Sequence, residues 1–251
     1  MPQPRIPTEA DFAPLAATLP HTLHFPTPRE STTAILILLH GAGDCDAPFA
    51  RFARALALPG VLAVAVRGTA PLPGAALLGD DGGHFHWGDD ACLDARTGAL
   101  DADPGFGRAA TALVHGLLRG VLVDRCGWEL GDVIVFGFGQ GGSLALGMAS
   151  QLRASSASSP TASSGGANAF KGVVSIGGPL PPSMVPTTSA RSKSDTPVLV
   201  CQLDEDQVDA VEAEFANVSA VRWRRSDVAM PRDRDEALPI MRFFADCLKT
   251  V

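Results

Sequence analysis

The 251-residue sequence has no excess of positive charge, and this excludes one broad class of partner. Its formal net charge at pH 7 is −7, with 20 lysines and arginines against 27 aspartates and glutamates. A protein that binds nucleic acid or an anionic membrane surface needs a basic face. We therefore expect no nucleic-acid partner.

Long hydrophobic runs are also missing. No apolar stretch approaches the roughly 20 residues that a membrane-spanning helix needs, and the start, Met1–Pro7, lacks the apolar core of a signal peptide. The sequence therefore predicts no integral membrane association and a cytoplasmic location.

Cysteines are few, odd in number and without C-x-x-C spacing, so they predict neither a disulfide framework nor a zinc site. We expect reduced, partly buried thiols. The five are Cys45, Cys92, Cys126, Cys201 and Cys247.

Apolar residues make up 46% of the chain, enough for one substantial core, so we predict a single domain over residues 1–251. Apolar runs predict strands and three- or four-residue apolar spacing predicts helices. The predicted strands are residues 34–39, 61–66, 133–138, 172–176, 197–201 and 221–223, and the predicted helices are 47–58, 106–121, 140–152, 208–216 and 236–248. This alternation predicts an α/β fold with a mostly parallel central sheet and helices on both faces.

Three segments lack such periodicity. Residues 1–30 are broken by prolines and are predicted to be irregular, either as a short edge strand or as a wrapping segment. Residues 67–103 are rich in Gly, Pro and Asp and also carry aromatics and histidines, which favours a lid or pocket wall. Residues 154–167 are rich in Ser, Gly and Ala and are predicted to be a disordered insertion.

One stretch organises the rest of the chain: a β-branched strand at 133–138 runs into the glycine-rich turn GFGQGG at 137–142 and then into an apolar helix. Two further motifs accompany it, LLHGAGD at 38–44 and PVLVCQLDED at 197–206. In order and spacing they resemble the phospholipase/carboxylesterase/thioesterase family of α/β-hydrolases, which includes acyl-protein thioesterases. That family typically shows LHG-x-GD, GFSQGG and GD-x-D. The resemblance implies an α/β-hydrolase fold and cofactor-free chemistry on carboxylic esters or thioesters.

The resemblance also implies a role for particular positions. The nucleophilic serine of the turn would stand at Gly139, and the acid of the triad at Asp206. The oxyanion hole would use the backbone N–H groups of Ala42 and Gln140. The triad histidine would lie in the loop at 225–232, which has none, and His115 is the last histidine in the chain. Two of the three triad members are therefore absent.

Other residues could line the old pocket or replace the lost groups. The pocket candidates are His40, His84, His86, Trp87 and Ser143. His40 is expected to brace its own loop, and Ser143 lies one helical turn beyond Gly139. His84 and His86 alternate around Phe85, but without a third ligand at a recognisable spacing they do not predict a metal site.

Two further residues have simpler predicted roles. Cys45 lies between Asp44 and Asp46, whose carboxylates disfavour a reactive thiolate. Asp206 is expected to cap a helix that begins near Val208.

Three functional hypotheses follow. The first is a pseudoenzyme that binds a small acyl or ester ligand, or an acylated protein partner, in the family's pocket. The second is an active hydrolase with a rearranged site that uses His84 or His86 with Ser143 or water. The third is a structural or interaction protein whose pocket is closed by Phe85, Trp87 and the loop around Leu180.

Overall fold

A computed structural model describes residues 4–72, 83–90, 101–153, 168–187 and 192–249. In chain order its strands are β1 (His21–His24), β2 (Ala34–Leu39), β3 (Val61–Val66), β4 (Ala70–Pro71), β5 (Phe85–His86), β6 (Val133–Phe138), β7 (Gly172–Ile176), β8 (Val198–Cys201) and β9 (Val218–Val221). Seven of them form the main sheet in the order β1-β3-β2-β6-β7-β8-β9, and β4 pairs with β5 separately. All neighbours in the main sheet pair in parallel except β1, which is antiparallel to β3.

The helices surround this sheet. They are α1 (Glu9–Phe12), α2 (Asp46–Leu56), α3 (Gly107–Thr111), α4 (Gln140–Ser150), α5 (Glu205–Glu214) and α6 (Arg234–Lys249). α3 continues as a π-helix over Ala112–Val123. The wider hydrogen-bond spacing persists just beyond it, where the N–H of Cys126 donates to the carbonyl of Val121 at 3.1 Å.

The apolar runs become central strands because both faces of the sheet are covered. Every residue of β2 and β3 is buried. One face, represented by Ile37, packs with the π-helix and with Leu144 of α4, and the opposite face, represented by Leu38, packs with α2 and with Phe244 of α6. The predicted mostly parallel α/β fold with helices on both faces is confirmed.

The carboxyl ends of four parallel strands define where a ligand would bind in such a sheet. Leu39, Phe138, Ile176 and Cys201 are the last residues of β2, β6, β7 and β8. The loops that follow them therefore meet at one edge of the sheet, with the glycine turn between β6 and α4 near its middle.

Several predicted boundaries differ from the structure. Residues 4–30 contain the edge strand β1, one of the two forms predicted for this segment, and also α1, which was not predicted and whose Phe12 is buried in the core. The helix predicted over 208–216 begins three residues earlier, and the strand predicted over 221–223 lies at Val218–Val221. Residues 154–167 lie outside the described residues.

Among the described residues, no helix combines the length and the apolar character that crossing a membrane would require.

Candidate functional site

Gly139 forms the turn between β6 and α4. Its backbone has φ +51° and ψ −121°, a combination that side-chain-bearing residues rarely adopt. Its N–H donates to the carbonyl of Ile176 at 2.8 Å, and its own carbonyl accepts from the N–H groups of Gly142 (2.8 Å) and Ser143 (3.0 Å). The turn is thus fixed at both ends, to the neighbouring strand and to the helix that it begins.

At the other glycines of the turn, close backbone packing leaves no room for a Cβ, whereas at Gly139 a Cβ has room. A Cβ added at Gly137 would lie 2.3 Å from the carbonyl oxygen of Gly141, and one at Gly142 would lie 3.2 Å from the carbonyl oxygen of Gly137. Among the described residues, a Cβ at Gly139 would meet only the Cα of Gly41, at 3.8 Å, which is ordinary contact. The site therefore has room for a side chain at the position where the resemblance places the nucleophile.

The loop after β2 lies directly against this turn. A Cβ on Gly141 would lie 2.5 Å from the carbonyl oxygen of His40, and one on Gly41 would lie 3.6 Å from that of Phe138. Gln140 is the first residue of α4, so its N–H has no acceptor inside the helix. Ala42 belongs to the facing loop, and the two predicted oxyanion-hole residues are thus on contacting segments.

His40 supports its loop through both ring nitrogens. Nε2 accepts the N–H of Gly68 at 2.8 Å, so Nδ1 carries the proton and donates to the carbonyl of Gly41 at 2.7 Å. The side chain is completely buried, and this burial lowers its pKa. Both nitrogens are occupied, and a neutral His40 braces the loop.

Trp87 joins the segment 83–90 to the same two loops. Its backbone N–H donates to Oε1 of Gln140 at 2.7 Å, and its indole N–H donates to the carbonyl of His40 at 2.8 Å. Phe85, two residues earlier, adds a bridge to Asp44, whose carbonyl accepts the Phe85 N–H at 3.0 Å. Trp87 is completely buried, so it supports the site from behind.

The two histidines of this segment differ in their environments. Nδ1 of His84 lies 2.6 Å from the carbonyl oxygen of Gly43. His86 is buried, and within the described chain its Nδ1 has no hydrogen-bond partner. Burial, and then the positive charge of Arg108, lower the pKa of His86. Both effects favour the neutral form of His86.

Ser143 is only 2% exposed and lies in the second turn of α4. A hydroxyl with so little exposed surface is poorly placed to attack an ester. Its burial weakens the hypothesis of a rearranged site that uses Ser143.

The predicted acid, Asp206, lies in the first turn of α5 and is exposed to solvent. The prediction that it caps this helix is wrong. Asp204 is the N-cap, and its backbone N–H donates to Oε1 of Gln207 at 3.1 Å, as in a capping box. The capping pair explains why α5 begins before the first apolar residue, Val208.

The loop that would carry the triad histidine contains Val228 instead. A Cβ added at Gly177 would lie 2.1 Å from Cγ1 of Val228, so the two residues are in close contact. A Cβ on the next residue, Gly178, would lie 2.2 Å from the carbonyl oxygen of Gly139. Val228 thus reaches the strand end beside the turn, and it is 46% exposed there.

Gln202 holds this loop in place, a role that the sequence analysis missed. Its Oε1 accepts the N–H of Trp223 at 2.6 Å, and its Nε2 donates to the carbonyl of Arg225 at 2.8 Å and to that of Asp227 at 3.3 Å. Its φ of +61° is unusual for a residue other than glycine. The only local signal was a polar residue directly after a buried strand.

Arg225 fixes the same loop electrostatically. Its guanidinium donates to both carboxylate oxygens of Glu236, at 2.7 and 3.1 Å, and lies 4.6 Å from the ring centroid of Trp223. Hydrogen bonding to the arginine lowers the pKa of Glu236, and the carboxylate in turn raises the pKa of Arg225. The loop is therefore anchored to the start of α6.

A cavity of about 310 Å³ lies between this loop and the ends of β7 and β8. It is lined by Gly177, Gln202, Leu203, Asp204, Gln207, Arg222, Arg225, Ser226 and Val228. Across the part of the chain that the structure describes, no group of three or more His, Cys, Asp or Glu residues could hold a metal ion.

The chain matches the family model described as phospholipase/carboxylesterase over residues 23–222. An uncharacterised hydrolase of Schizosaccharomyces pombe is 29% identical over 205 residues, which cover 79% of this chain and 76% of the relative. An uncharacterised hydrolase of Mycosarcoma maydis is 34% identical over 126 residues, which cover 49% of this chain and 44% of the relative.

Solved structures resemble the model across nearly its whole length. Acyl-protein thioesterase 2 of Zea mays superposes with a TM-score of 0.60 at 19% identity, covering 91% of this chain and 98% of the other. Bacillus cereus carboxylesterase gives a TM-score of 0.60 at 16% identity, covering 96% and 100%. At these identities the likeness establishes the α/β-hydrolase fold.

Proposed function

Because the chain belongs to the phospholipase/carboxylesterase family of hydrolases, we propose that it keeps the family's binding site and lacks its serine-hydrolase turnover. The ligand would be a small acyl or ester compound, or the acyl group of an acylated protein. Two features support binding: Gln140 N–H at the start of α4, and the loop of Ala42 packed against it. Donors at a helix N-terminus suit an oxygen that carries partial negative charge.

The observation that carries the proposal is that Gly139 and Val228 stand where the resemblance places the nucleophile and the loop of the triad histidine. Gly139 offers no hydroxyl, and Val228 offers no imidazole at the loop that approaches the turn from the other side. Without a nucleophile and a general base there is no acyl-enzyme route. Serine proteases stripped of their triads retain roughly 10³–10⁴-fold acceleration over water, which an ordinary assay would not detect.

The test is p-nitrophenyl ester turnover by the wild type, Gly139→Ser, and Gly139→Ser combined with Val228→His. We expect no turnover above background for the wild type. The double variant is expected to gain turnover and to be labelled by a fluorophosphonate probe, because a serine Cβ fits at this turn.

The matched control is Gly139→Ala combined with Val228→His, which adds the same Cβ and the same imidazole without a hydroxyl. Hydrolysis by the wild type at rates typical of esterases, or fluorophosphonate labelling of its Ser143, would contradict the proposal. Ligand binding is measured separately, by titration of the wild type with octanoate. If octanoate does not bind at the highest concentration tested, the hypothesis of a closed pocket is favoured.

One observation favours an active alternative: the pKa of His86 is lowered, and its buried Nδ1 has no acceptor or donor within the described chain. Because this nitrogen is buried, it could take a proton from a water molecule that attacks an ester only after the segment 83–90 moves to admit water. This alternative predicts slow hydrolysis by the wild type that is abolished in His86→Ala and retained in His84→Ala.

A further inference from the structure

The main sheet has two edges, and they differ in how they are protected. β1 is preceded by Pro20 and followed closely by Pro26, and proline at a strand's ends discourages further pairing. β9 has neither proline nor charge between residues 217 and 221. Four residues at this edge, Ala216, Asn217, Ser219 and Ala220, are exposed.

The hydrogen bonds to β8 show which backbone groups of β9 remain available. The N–H of Val198 donates to the carbonyl of Asn217 at 2.8 Å, and that of Gln202 donates to the carbonyl of Val221 at 3.0 Å. Alternate residues of a strand direct their N–H and C=O groups to opposite sides. The backbone groups of Val218, Ala220 and Arg222 therefore point outward.

Cavities flank this edge on both faces of the sheet. One of about 260 Å³ lies beside α5 and is lined mainly by aliphatic side chains, among them Val200, Val208 and Ala220. Another, of about 270 Å³, lies beside α6 and is lined by Trp223 and Arg224 together with acidic residues. The buried indole N–H of Trp223 has no acceptor within the described chain.

We propose that β9 pairs in antiparallel fashion with β9 of a second copy of this chain. The outward-pointing set is self-complementary about a two-fold axis: Ala220 lies opposite the partner's Ala220, and Val218 lies opposite the partner's Arg222. Each such pair exchanges two backbone hydrogen bonds. An antiparallel two-fold interface of this kind closes on itself and stops at a dimer.

Charge also favours a second copy as the occupant. Arg222 and Arg224 are exposed at the end of β9, and in the described chain neither forms an ion pair. Glu212 is exposed on the last turn of α5, just before the strand. In an antiparallel pair, Arg222 and Arg224 at the end of one β9 lie towards Glu212, which comes just before the other β9. In a parallel pair, the arginines of the two copies would lie together.

The test is sedimentation velocity of the full chain from about 1 to about 200 µM, since dimerisation depends on concentration. The key variant is Ala220→Pro, which removes one outward N–H and leaves the bonds to β8 intact. Proline is tolerated at such an edge position. The matched control is Ala220→Ser, which keeps the N–H. We expect the wild type and the control to dimerise and Ala220→Pro to stay monomeric with an unchanged circular dichroism spectrum.

A charge swap provides an independent readout in case the proline variant does not fold. Arg224→Glu and Glu212→Arg are each expected to raise the dimer Kd about tenfold, and their combination is expected to restore it. A wild type that remains monomeric at the highest concentration would overturn the proposal. So would a dimer that neither Ala220→Pro nor the single charge changes weaken.

Discussion

Gly139 combines a strained backbone with open space, and these two properties have different consequences for a side chain. The φ of +51° penalises any Cβ, while the nearest atom to that Cβ would be the Cα of Gly41 at 3.8 Å. At Gly137 the obstacle to a side chain is steric contact, since a Cβ there would lie 2.3 Å from the carbonyl oxygen of Gly141. Glycine at position 139 lowers the energy of the turn, whereas glycine at position 137 makes the packing possible.

This contrast predicts different stabilities for two alanine variants. Gly139→Ala is expected to destabilise the protein by about 1–3 kcal/mol, the usual cost of a side chain in a sparsely populated backbone region. Gly137→Ala is expected to cost more, because strand and helix backbone must separate. Urea unfolding of both variants measures the difference. Equal losses would show that the strand and helix backbone relieve the contact at Gly137 at no greater cost than the strain at Gly139.

Gln202 joins the end of β8 to the loop at 223–228, so its removal should loosen that loop. Gln202→Ala is expected to lower the free energy of unfolding by about 1.5–4.5 kcal/mol, since three hydrogen bonds are lost and each contributes roughly 0.5–1.5 kcal/mol. Gln202→Gly is the companion variant because glycine accepts φ +61° without strain. If the glycine variant is the less stable of the two, backbone strain is not the controlling factor.

At the scale of elements, side-chain interactions anchor the loop between β9 and α6. Arg225 binds Glu236 through two hydrogen bonds and lies over Trp223. The same loop presents Val228 to Gly177. The loop is therefore tied firmly to the first turn of α6.

The Arg225–Glu236 pair predicts a pH dependence of stability. Arg225 lowers the pKa of Glu236 below its ordinary value of 4.5. A carboxyl with a lowered folded-state pKa stabilises the protein above its unfolded pKa, and this stabilisation is lost as the pH falls through the folded pKa. From about pH 6 down to about pH 3, the wild type should therefore lose more stability than Glu236→Gln.

The measurement is thermal unfolding across that range, with Glu205→Gln as a control at an exposed glutamate. Parallel pH profiles for the wild type and Glu236→Gln would show that the pair contributes nothing to acid sensitivity.

The sequence allowed the central strands to be predicted well because their apolar runs are long and buried on both faces, as at Ala34–Leu39 and Val61–Val66. β4 and β5 were missed because two-residue strands carry no periodicity. α5 and β9 were placed about three residues late, since the apolar pattern begins after the Asp204 cap.

The candidate site was likewise predicted only in part. The turn at Gly139 was evident from its motif, because its glycines lie within six residues of one another and serve a local turn. The role of Gln202 was not evident, since its partners Trp223 and Arg225 lie more than twenty residues away. Long-range side-chain bonds of this kind leave no local pattern.

At the scale of the whole molecule, the main sheet has one apolar layer on each face, and these layers bury most of the described thiols. Burial raises the pKa of Cys201 to about 12 and that of Cys247 to about 11, and it also raises the pKa of Cys126. Cys45 is partly exposed in the loop after β2. Thiol reactivity therefore reports on the integrity of the fold.

We expect a single fast reaction with a disulfide reagent such as dithionitrobenzoate in a Cys92→Ser background. Thiolate is the reactive form, so buried thiols with raised pKa values should react only on unfolding. Cys45→Ser should abolish the fast phase, and Cys201→Ser should leave it unchanged. A fast phase that survives Cys45→Ser would indicate that one of the buried thiols becomes accessible by local opening.

Trp87 lies between the two loops of the candidate site, bonded through its backbone to Gln140 and through its indole to His40. The other two tryptophans are placed elsewhere: the indole of Trp128 donates to the carbonyl of Arg5, and Trp223 lies beside Arg225. The molecule consequently contains an intrinsic fluorophore at its turn. The part of the tryptophan fluorescence that is lost in Trp87→Phe comes from this residue. Changes in it would report ligand binding at the site in real time, without a substrate, a label or any turnover.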